Sequence, residues 1–123
     1  MPCGFGYHMV HSMTADGVTS QWLRGVTDLV VLACLENQPN YGYALLEHLI
    51  EHGLDPIREA TVYAALRRLE TSGLCDSSLV ASGSGPARRY YALTDKGRAD
   101  LHALRSKWQH FSDAVAAVAG GAP

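Results

Sequence analysis

The sequence lacks the features that mark secreted, membrane-spanning and many enzymatic chains. Its longest apolar runs, such as residues 29–35, are far shorter than the roughly 20 residues that cross a bilayer. Residues 1–13 contain no basic segment followed by an apolar one, so we expect no signal peptide and a cytoplasmic location. A glycine-rich phosphate loop, HExxH and GxSxG are also missing, so the sequence gives no support to an enzyme.

Cysteine is also scarce, with three in 123 residues and no CxxC pair among them. Cys34 falls inside an apolar helical pattern, and Cys75 begins a strand-like segment. Such cysteines are typical of reduced, mostly buried thiols rather than of a disulfide framework. We therefore expect no cofactor and no metal bound through cysteine.

Positive charge is limited overall, since the net charge is −2, but it is concentrated in one region. Residues 58–110 hold nine of the ten Lys and Arg residues and five of the twelve Asp and Glu residues. The rest of the chain has one base, Arg24, and seven acids. Phosphate binding requires a local basic face rather than a high overall pI, so this distribution favours a nucleic-acid partner. A solvated charged face would have the same composition.

The segment from Glu59 to Gly73 predicts a short helix in the basic region. Val62, Leu66 and Leu69 recur at spacings of four and three and form an apolar stripe that fixes the helix to a core. The other side combines small residues with arginine, which suits close approach to a negatively charged partner such as DNA. This free side carries Ala60, Tyr63, Ala64, Arg67, Arg68 and Thr71.

Two further helices are predicted upstream. The first lies within residues 21–37, and residues 1–20 before it are expected to form a flexible extension or a short added helix. A tight turn at residues 39–42 leads into the second helix, which ends before Gly53. A helix joined by a short turn to the helix with the basic face is a helix-turn-helix arrangement. The residues of the second helix expected to face inward are Ala44, Leu45, Leu49 and Ile50.

Beyond this arrangement the apolar period changes from about 3.6 to about 2, which predicts strands at residues 74–81 and 88–93. The segment SGSGPA between them is typical of a loop. Side chains alternate along a strand, so Arg88 and Arg89 lie on opposite faces and Tyr91 points into the core. We expect a β-hairpin whose arginines are exposed beside the basic helix.

Thr94 is placed to cap a long final helix over residues 95–119, and residues 120–123 are expected to fray. Apolar residues recur in this helix at alternating spacings of three and four, as at the a and d positions of a coiled coil. One small domain does not need a narrow apolar seam that extends beyond its own core. We therefore expect two copies of the chain to pack along this seam. The seam consists of Leu101, Leu104, Trp108, Phe111, Val115 and Val118.

Three stretches jointly resemble one known family. They are YGY at residues 41–43, TVYAALRRLE at residues 61–70 and ARRYYALT at residues 87–94. The order of elements and these motifs, over about residues 23–118, are similar to the PadR-like transcriptional regulators. The resemblance implies a bacterial winged helix-turn-helix repressor of the shorter branch, whose dimers cross a single C-terminal helix.

The expected fold class is therefore α+β and mostly helical. A winged helix-turn-helix DNA-binding domain is assigned to residues 21–94, and a C-terminal dimerisation helix follows at residues 95–119. Two residues depart from the family pattern: Ala60 stands where glycine is usual, and Ala64 stands where proline is frequent. Neither departure removes a charge or a hydrogen-bond donor.

The charge pattern and the resemblance together predict a DNA-binding surface. Arginine offers a bidentate donor fork to guanine or phosphate, and hydroxyl groups near a helix N-terminus can bind phosphates. A dimer would present two such helices to a palindromic operator with half-sites about one duplex turn apart. The predicted DNA-binding residues are Tyr41, Thr61, Tyr63, Ala64, Arg67, Arg68, Arg88 and Arg89.

Trp108 lies in the middle of the predicted seam, close to its counterpart across a two-fold axis. Some regulators of the resembled family hold flat aromatic compounds between such tryptophans. Trp108 is therefore either part of a site for a small aromatic effector that releases the DNA, or an anchor of the interface alone.

Two other functions remain open from the sequence alone. His48 and His52 are spaced i, i+4 and can chelate zinc or nickel, which would make the chain a metal-responsive regulator, although no third ligand is evident. A winged helix can also serve as a protein-binding module that never touches DNA.

Overall fold

Within residues 15–120 the chain forms four α-helices and three β-strands. The structure is a computed structural model that describes residues 15–120. The elements within this range are α1 (Ala15–Cys34), β1 (Asn40–Tyr41), α2 (Gly42–Glu51), α3 (Glu59–Thr71), β2 (Cys75–Ser82), β3 (Gly85–Leu93) and α4 (Asp95–Ala119).

The core is formed by apolar side chains from all four of these helices and from the hairpin. Tyr91 is buried on β3, as the alternation of the strand predicted. Burying one leucine or valine side chain stabilises the fold by about 1.5–3 kcal/mol relative to exposure, so this cluster dominates the packing energy. The buried helical residues include Val31, Leu32, Leu35, Leu45, Leu46, Leu49, Val62, Leu66, Leu69 and Leu101.

α1 begins earlier than the sequence pattern predicted, at Ala15 rather than near residue 21. Residues 15–20 continue the helix upstream of Leu23, which is buried and whose carbonyl oxygen accepts a hydrogen bond from the Thr27 hydroxyl at 2.6 Å. The last residues of the predicted flexible extension therefore belong to a helix. Residues 1–14 of that extension lie outside the described part of the chain.

α1 also ends before the predicted boundary near Asn37, at Cys34. Leu35 N donates to Leu32 O at 3.0 Å, a three-residue spacing that tightens the last turn of the helix. The chain then passes through Pro39 into β1.

β1 is a strand at a position where the sequence pattern predicted only a turn. Asn40 and Tyr41 pair antiparallel with Tyr91 and Tyr90, so the strand order is β1-β3-β2. A strand of two residues has no period of its own, and its partner is distant in sequence, so only the folded chain reveals it.

The hairpin loop is shorter than the predicted loop at residues 82–87. β2 continues to Ser82 and β3 begins at Gly85. The Ser82 hydroxyl donates to Pro86 O at 2.8 Å, which holds the two strand ends together.

α2 buries Leu45 and Leu49 as predicted, but Ile50 is exposed and Leu46 is buried in its place. α2 packs against both α1 and α3, and this rotates the buried stripe toward Leu46. Gly53 follows the helix with φ of +96°, which confirms the predicted glycine at the end of α2.

The start of α4 is fixed against the segment that follows α3. Thr94 caps the helix as predicted, because its Oγ1 accepts from Gly97 N at 3.0 Å, and the same hydroxyl donates to Gly73 O at 2.7 Å. A Cβ on Gly97 would lie 1.8 Å from Leu74 O, so only glycine permits this approach.

A second contact fixes α4 to the end of α1. Arg105 donates from both Nη atoms to the Glu36 carboxylate, at 3.2 and 2.8 Å, and Arg98 Nη1 donates to Glu36 O at 3.1 Å. The hydrogen bonds from Arg105 hold the pKa of Glu36 below its ordinary value. The direction of α4 relative to the helix-turn-helix is therefore set at two points.

Candidate nucleic-acid interface

α3 presents the free side that the sequence predicted. Val62, Leu66 and Leu69 are buried, whereas Arg67 lies on the opposite side and is exposed. Arg67 forms no hydrogen bond or ion pair with any other side chain in the described range. The exposed neighbours of Arg67 on this side are Ala60 and Thr71, Ala64 is half-buried, and Thr61 is exposed at the edge of the helix that faces α1.

Tyr63 is partly buried at the contact between α2 and α3. A Cβ added to Gly42 would lie 2.3 Å from Cε1 of the Tyr63 ring, so the ring covers this glycine. The ring also packs against the buried cluster. Tyr63 is therefore a packing residue at the helix-turn-helix, in addition to being a predicted DNA-binding residue.

Arg68 leans toward α1, where its Nη2 forms an ion pair with Asp28. The two side chains are 56% and 45% exposed, so the pair contributes at most about 1 kcal/mol. Arg67 and Arg68 are adjacent in sequence but differ in environment, since Arg68 already has a counter-ion within the protomer.

The β1–β3 contact creates an aromatic platform beneath one arginine. The guanidinium carbon of Arg88 lies 4.4 Å from the centroid of the Tyr41 ring, a cation–π arrangement. The Tyr41 and Tyr90 rings are 5.3 Å apart. Tyr41, Arg88 and Tyr90 therefore form one cluster where β1 meets β3, which we call the wing cluster.

Arg89 lies on the other face of β3, as the alternation predicted. Its Nη1 donates to Ser77 Oγ at 3.0 Å, and Ser77 Oγ donates to Glu70 Oε2 at 2.7 Å. Arg89 is therefore linked to the last turn of α3, and this link sets the position of the hairpin relative to that helix.

Two arginines that were not predicted to bind DNA also lie beside α3. Arg24 on α1 and Arg58, immediately before α3, line a cleft of about 260 Å³. An adjoining space of about 360 Å³ is lined by Arg24, Ala64 and Arg68, among others. By sequence Arg24 belongs to the acidic part of the chain, and only the packing of α1 on α3 brings it into the basic region.

α1 and α4 enclose an apolar groove of about 410 Å³. Its lining includes Trp22, Trp108 and Phe111, and the first two are the only tryptophans of the chain. The heptad spacing indicated Trp108 but not Trp22, because Trp22 lies outside the apolar pattern that begins at Val26 in the first predicted helix.

The predicted dimerisation seam divides into two parts. Leu101 is fully buried in the core of its own protomer, and Leu104 packs against that core. Leu101 is therefore not free to line an interface, which corrects its assignment to the seam. Leu101 lies in the second turn of α4, and that turn packs on the helix-turn-helix. The seam residues that remain exposed are Trp108, Phe111, Val115 and Val118, with exposed fractions between 42% and 90%.

The predicted cysteine environment is confirmed for the two cysteines of the described range, whereas Cys3 lies outside it. Cys75 is buried and Cys34 is half-buried, and both thiols are free. Burial raises the pKa of each thiol to about 11, so neither provides a thiolate at neutral pH.

His48 and His52 lie close together on α2, with ring centroids 4.3 Å apart. His52 Nδ1 lies 2.8 Å from His48 O, so one of its ring nitrogens is already engaged. Within residues 15–120, no group of three or more His, Cys, Asp or Glu side chains is arranged to hold a metal ion.

No helix in the same range has the length and apolar composition needed to cross a membrane.

The helical core, the three-stranded wing and the exposed basic side of α3 together define a winged helix-turn-helix protein. Residues 31–103 match the model of the transcriptional regulator PadR-like family. The chain belongs to this family, which confirms the resemblance drawn from its motifs. Its class of function is the regulation of transcription rather than catalysis.

Solved structures of other family members agree over most of the chain. A PadR-like transcriptional regulator from Bacillus cereus is 34% identical with a TM-score of 0.73, and the match covers 82% of this chain and 98% of that one. A PadR family regulator from Eggerthella lenta is also 34% identical, with a TM-score of 0.75 and coverage of 93% and 96%. These matches confirm the predicted fold class.

A more distant match is Bacillus subtilis PadR, solved in complex with operator DNA. It is 23% identical, with a TM-score of 0.60, and the match covers 64% of this chain and 46% of that one. At this identity the similarity concerns the fold alone.

Proposed function

We propose that the chain is a cytoplasmic dimeric repressor that binds a palindromic operator through α3 and the wing cluster. The observation that carries this proposal is the exposed and unpaired Arg67 on the side of α3 opposite the buried stripe. Ala60 and Ala64 beside it allow a base edge to come close to the helix. The operator complex of a protein with the same fold supports the proposal.

Each predicted DNA-binding residue has a proposed role that fits its surroundings. Arg67 reads a base edge in the major groove, where a bidentate arginine recognises guanine. The hydroxyl groups of Thr61 and Tyr63 donate hydrogen bonds to phosphate oxygens. Arg88, held over the Tyr41 ring, contacts the adjacent DNA backbone. The residues proposed to assist are Arg68, after exchange of Asp28 for a phosphate, and Arg89.

The dimer is proposed from the exposed apolar part of α4. Phe111 is 61% exposed and Val118 is 90% exposed, and these side chains belong to one apolar strip, a feature that is typical of protein–protein interaction surfaces. Two copies that pack along Trp108, Phe111, Val115 and Val118 would cover this strip. The pairing would hold two α3 helices at a fixed distance, as a palindromic site requires.

The Arg67→Ala variant is expected to bind a selected operator more weakly by about 1–3 kcal/mol. The variant should also lose its preference for one particular base pair at the position that Arg67 contacts, because the bidentate donor fork is gone. The operator is first obtained by selecting bound fragments from a random duplex library. Gel-shift titration against that operator, and against versions altered at each half-site position, then gives both quantities.

The matched control for this experiment is Lys107→Ala, which removes one positive charge from the exposed part of α4. It should leave the base preference unchanged. Unaltered operator binding by Arg67→Ala would remove Arg67 from the interface. Absence of any steeply salt-dependent duplex binding by the wild type would instead favour the protein-binding alternative, because phosphate contacts must weaken as salt rises.

We further propose that a flat aromatic effector binds in the α1–α4 groove. The groove volume of about 410 Å³ falls within the range typical of small-molecule sites, and its walls are mainly apolar. Trp22, Trp108 and Phe111 supply faces for stacking. Trp108 also belongs to the proposed dimer seam, so a ligand at this position can change how the two protomers are oriented.

A flat aromatic effector is expected to quench tryptophan fluorescence saturably, because both tryptophans of the chain line the groove. In the Trp108→Ala variant, Trp22 still reports binding, and the affinity should fall by about 0.5–1.5 kcal/mol through loss of stacking. Tyr43→Ala, an exposed aromatic on α2, serves as the control. No response across a broad panel of aromatics would leave Trp108 as an interface anchor alone.

A further inference from the structure

The cleft between α1 and α3 is cationic, and the contacts proposed above use only its α3 side, through Thr61 and Arg68. Its two connected parts share Arg24, Thr27 and Thr61. Arg58 lines one part and Arg68 lines the other. Every charged side chain among the described lining residues is an arginine, so the cleft is suited to an anion.

The arginines of this cleft differ in whether their charge is already balanced. Arg68 has Asp28 as its counter-ion. Neither Arg24 nor Arg58 forms an ion pair with any side chain that the structure describes. The Thr27 hydroxyl is engaged with Leu23 O. The unbalanced positive charge of the cleft therefore resides on Arg24 and Arg58.

The cleft lies along the edge of α3 that faces α1. At about 100° per residue, Thr61 and Arg68 lie on one edge of the helix, and Tyr63 lies on the opposite one. The contacts agree, because Arg68 meets Asp28 on α1 and Tyr63 covers Gly42 on α2. Arg24 and Arg58 therefore lie alongside the α1 edge.

A helix that lies in the major groove has a sugar–phosphate backbone near each edge. The groove is about 12 Å wide, and a helix with its side chains is about 10–12 Å across. If α3 enters the groove with its small residues foremost, one DNA strand passes the α1 edge. Ala60 and Ala64, which line the cleft, leave room for that strand to approach.

We infer that Arg24 and Arg58 bind phosphates of the DNA backbone that runs along the α1 edge of α3. This inference rests on the proposed function and extends the interface from α3 and the wing onto α1. The two arginines would position the protein on the duplex without reading sequence, since phosphate contacts are the same for every base pair. Arg68 would join them when a phosphate replaces Asp28.

The test measures the salt dependence of binding to a short random-sequence duplex and to the selected operator. For Arg24→Ala and Arg58→Ala, the slope of log affinity against log salt should fall by about 0.9 for each phosphate that the variant no longer neutralises. The affinity should decrease by the same factor for both duplexes. Lys107→Ala is again the charge-matched control and should keep the wild-type slope. Circular dichroism verifies that each variant is folded.

Three results would contradict the inference while leaving the proposed function intact. The first is a wild-type slope in both variants. The second is a loss confined to particular base pairs, which would make these arginines base readers. The third is saturable binding of inorganic pyrophosphate to the DNA-free protein that Arg24→Ala abolishes without changing the slope, which would assign the cleft to a free phosphorylated ligand. A wild type that binds no duplex would overturn both proposals together.

Discussion

The Gly97→Ala variant is expected to unfold more readily than the wild type by about 3 kcal/mol, the upper part of the range for overpacking. Its new Cβ would lie 1.8 Å from Leu74 O and 3.2 Å from Leu93 Cδ2. A side chain could rotate away, but Leu74 O belongs to the backbone and accepts a hydrogen bond from Thr94 N at 3.1 Å. Relief therefore requires α4 to move away from the end of α3, which weakens the hydrogen bonds from Thr94 to Gly73 O and Leu74 O.

The comparison is made by urea denaturation at one fixed protein concentration, because association adds to the apparent stability. Gly25→Ala is the matched control, since it also replaces a helical glycine and its Cβ would meet nothing within 4 Å. That variant should gain up to about 1 kcal/mol from helix propensity. Equal stability of Gly97→Ala and wild type would mean that α4 does not approach Leu74 as closely as described.

The expected loss at Gly97 also bears on DNA binding. Thr94 and Gly97 couple the start of α4 to the end of α3. In a dimer built along α4, the tilt at this junction sets the separation of the two α3 helices. A partly folded Gly97→Ala protein should therefore lose affinity for the operator more than for random duplex, since only the operator demands a fixed half-site spacing.

Local patterns were sufficient to predict the parts of the fold that depend on neighbours in sequence. The stripe of Val62, Leu66 and Leu69 is buried as its spacing required. Thr94 caps α4 because a hydroxyl three residues before a free N–H is a local arrangement. Arg88 and Arg89 diverge because side chains alternate along a strand.

Contacts between distant residues could not be predicted in the same way. Asp28 and Arg68 are forty positions apart, and nothing in either segment indicates that they pair. The strand at Tyr41 exists only because β3 lies beside it. Trp22 and Trp108 line one groove only because α4 packs against α1, and their positions are 86 residues apart in the sequence.

Leu101 illustrates why a heptad pattern alone does not define an interface. Its spacing from Leu104 and Trp108 is that of a continuous seam, but a leucine in such a pattern packs against whatever lies nearest. Near the start of α4 the nearest apolar surface is the core of the same protomer, and Leu101 is fully buried there. From Trp108 onward the helix extends beyond that core, so the same spacing leaves exposed side chains that a second chain would cover.

The Phe111→Asp variant is expected to be monomeric by analytical ultracentrifugation. A carboxylate at this position would lie within the proposed apolar interface, where an unpaired buried charge costs several kcal/mol. Phe111 is 61% exposed in the protomer, so the substitution should not affect folding of the protomer itself. An unchanged far-ultraviolet circular dichroism spectrum would verify this.

Loss of the dimer should separate specific from non-specific binding. Two linked α3 helices gain about 10²–10⁴ in affinity over one, because the second binding event becomes intramolecular. Phe111→Asp should therefore lose operator affinity by about that factor, while each protomer binds random duplex with a nearly unchanged affinity per site. Titration of both duplexes with the purified variant gives the two values.

Ser106→Asp provides the matched control for this experiment. Ser106 is exposed and, at about 100° per residue, lies on the side of α4 away from Phe111, so the same charge should leave the dimer intact. A dimeric Phe111→Asp protein would show that the two chains meet elsewhere. A monomer that keeps full operator affinity would show that one protomer suffices, and then the distance between paired Arg67 side chains would contribute nothing to specificity.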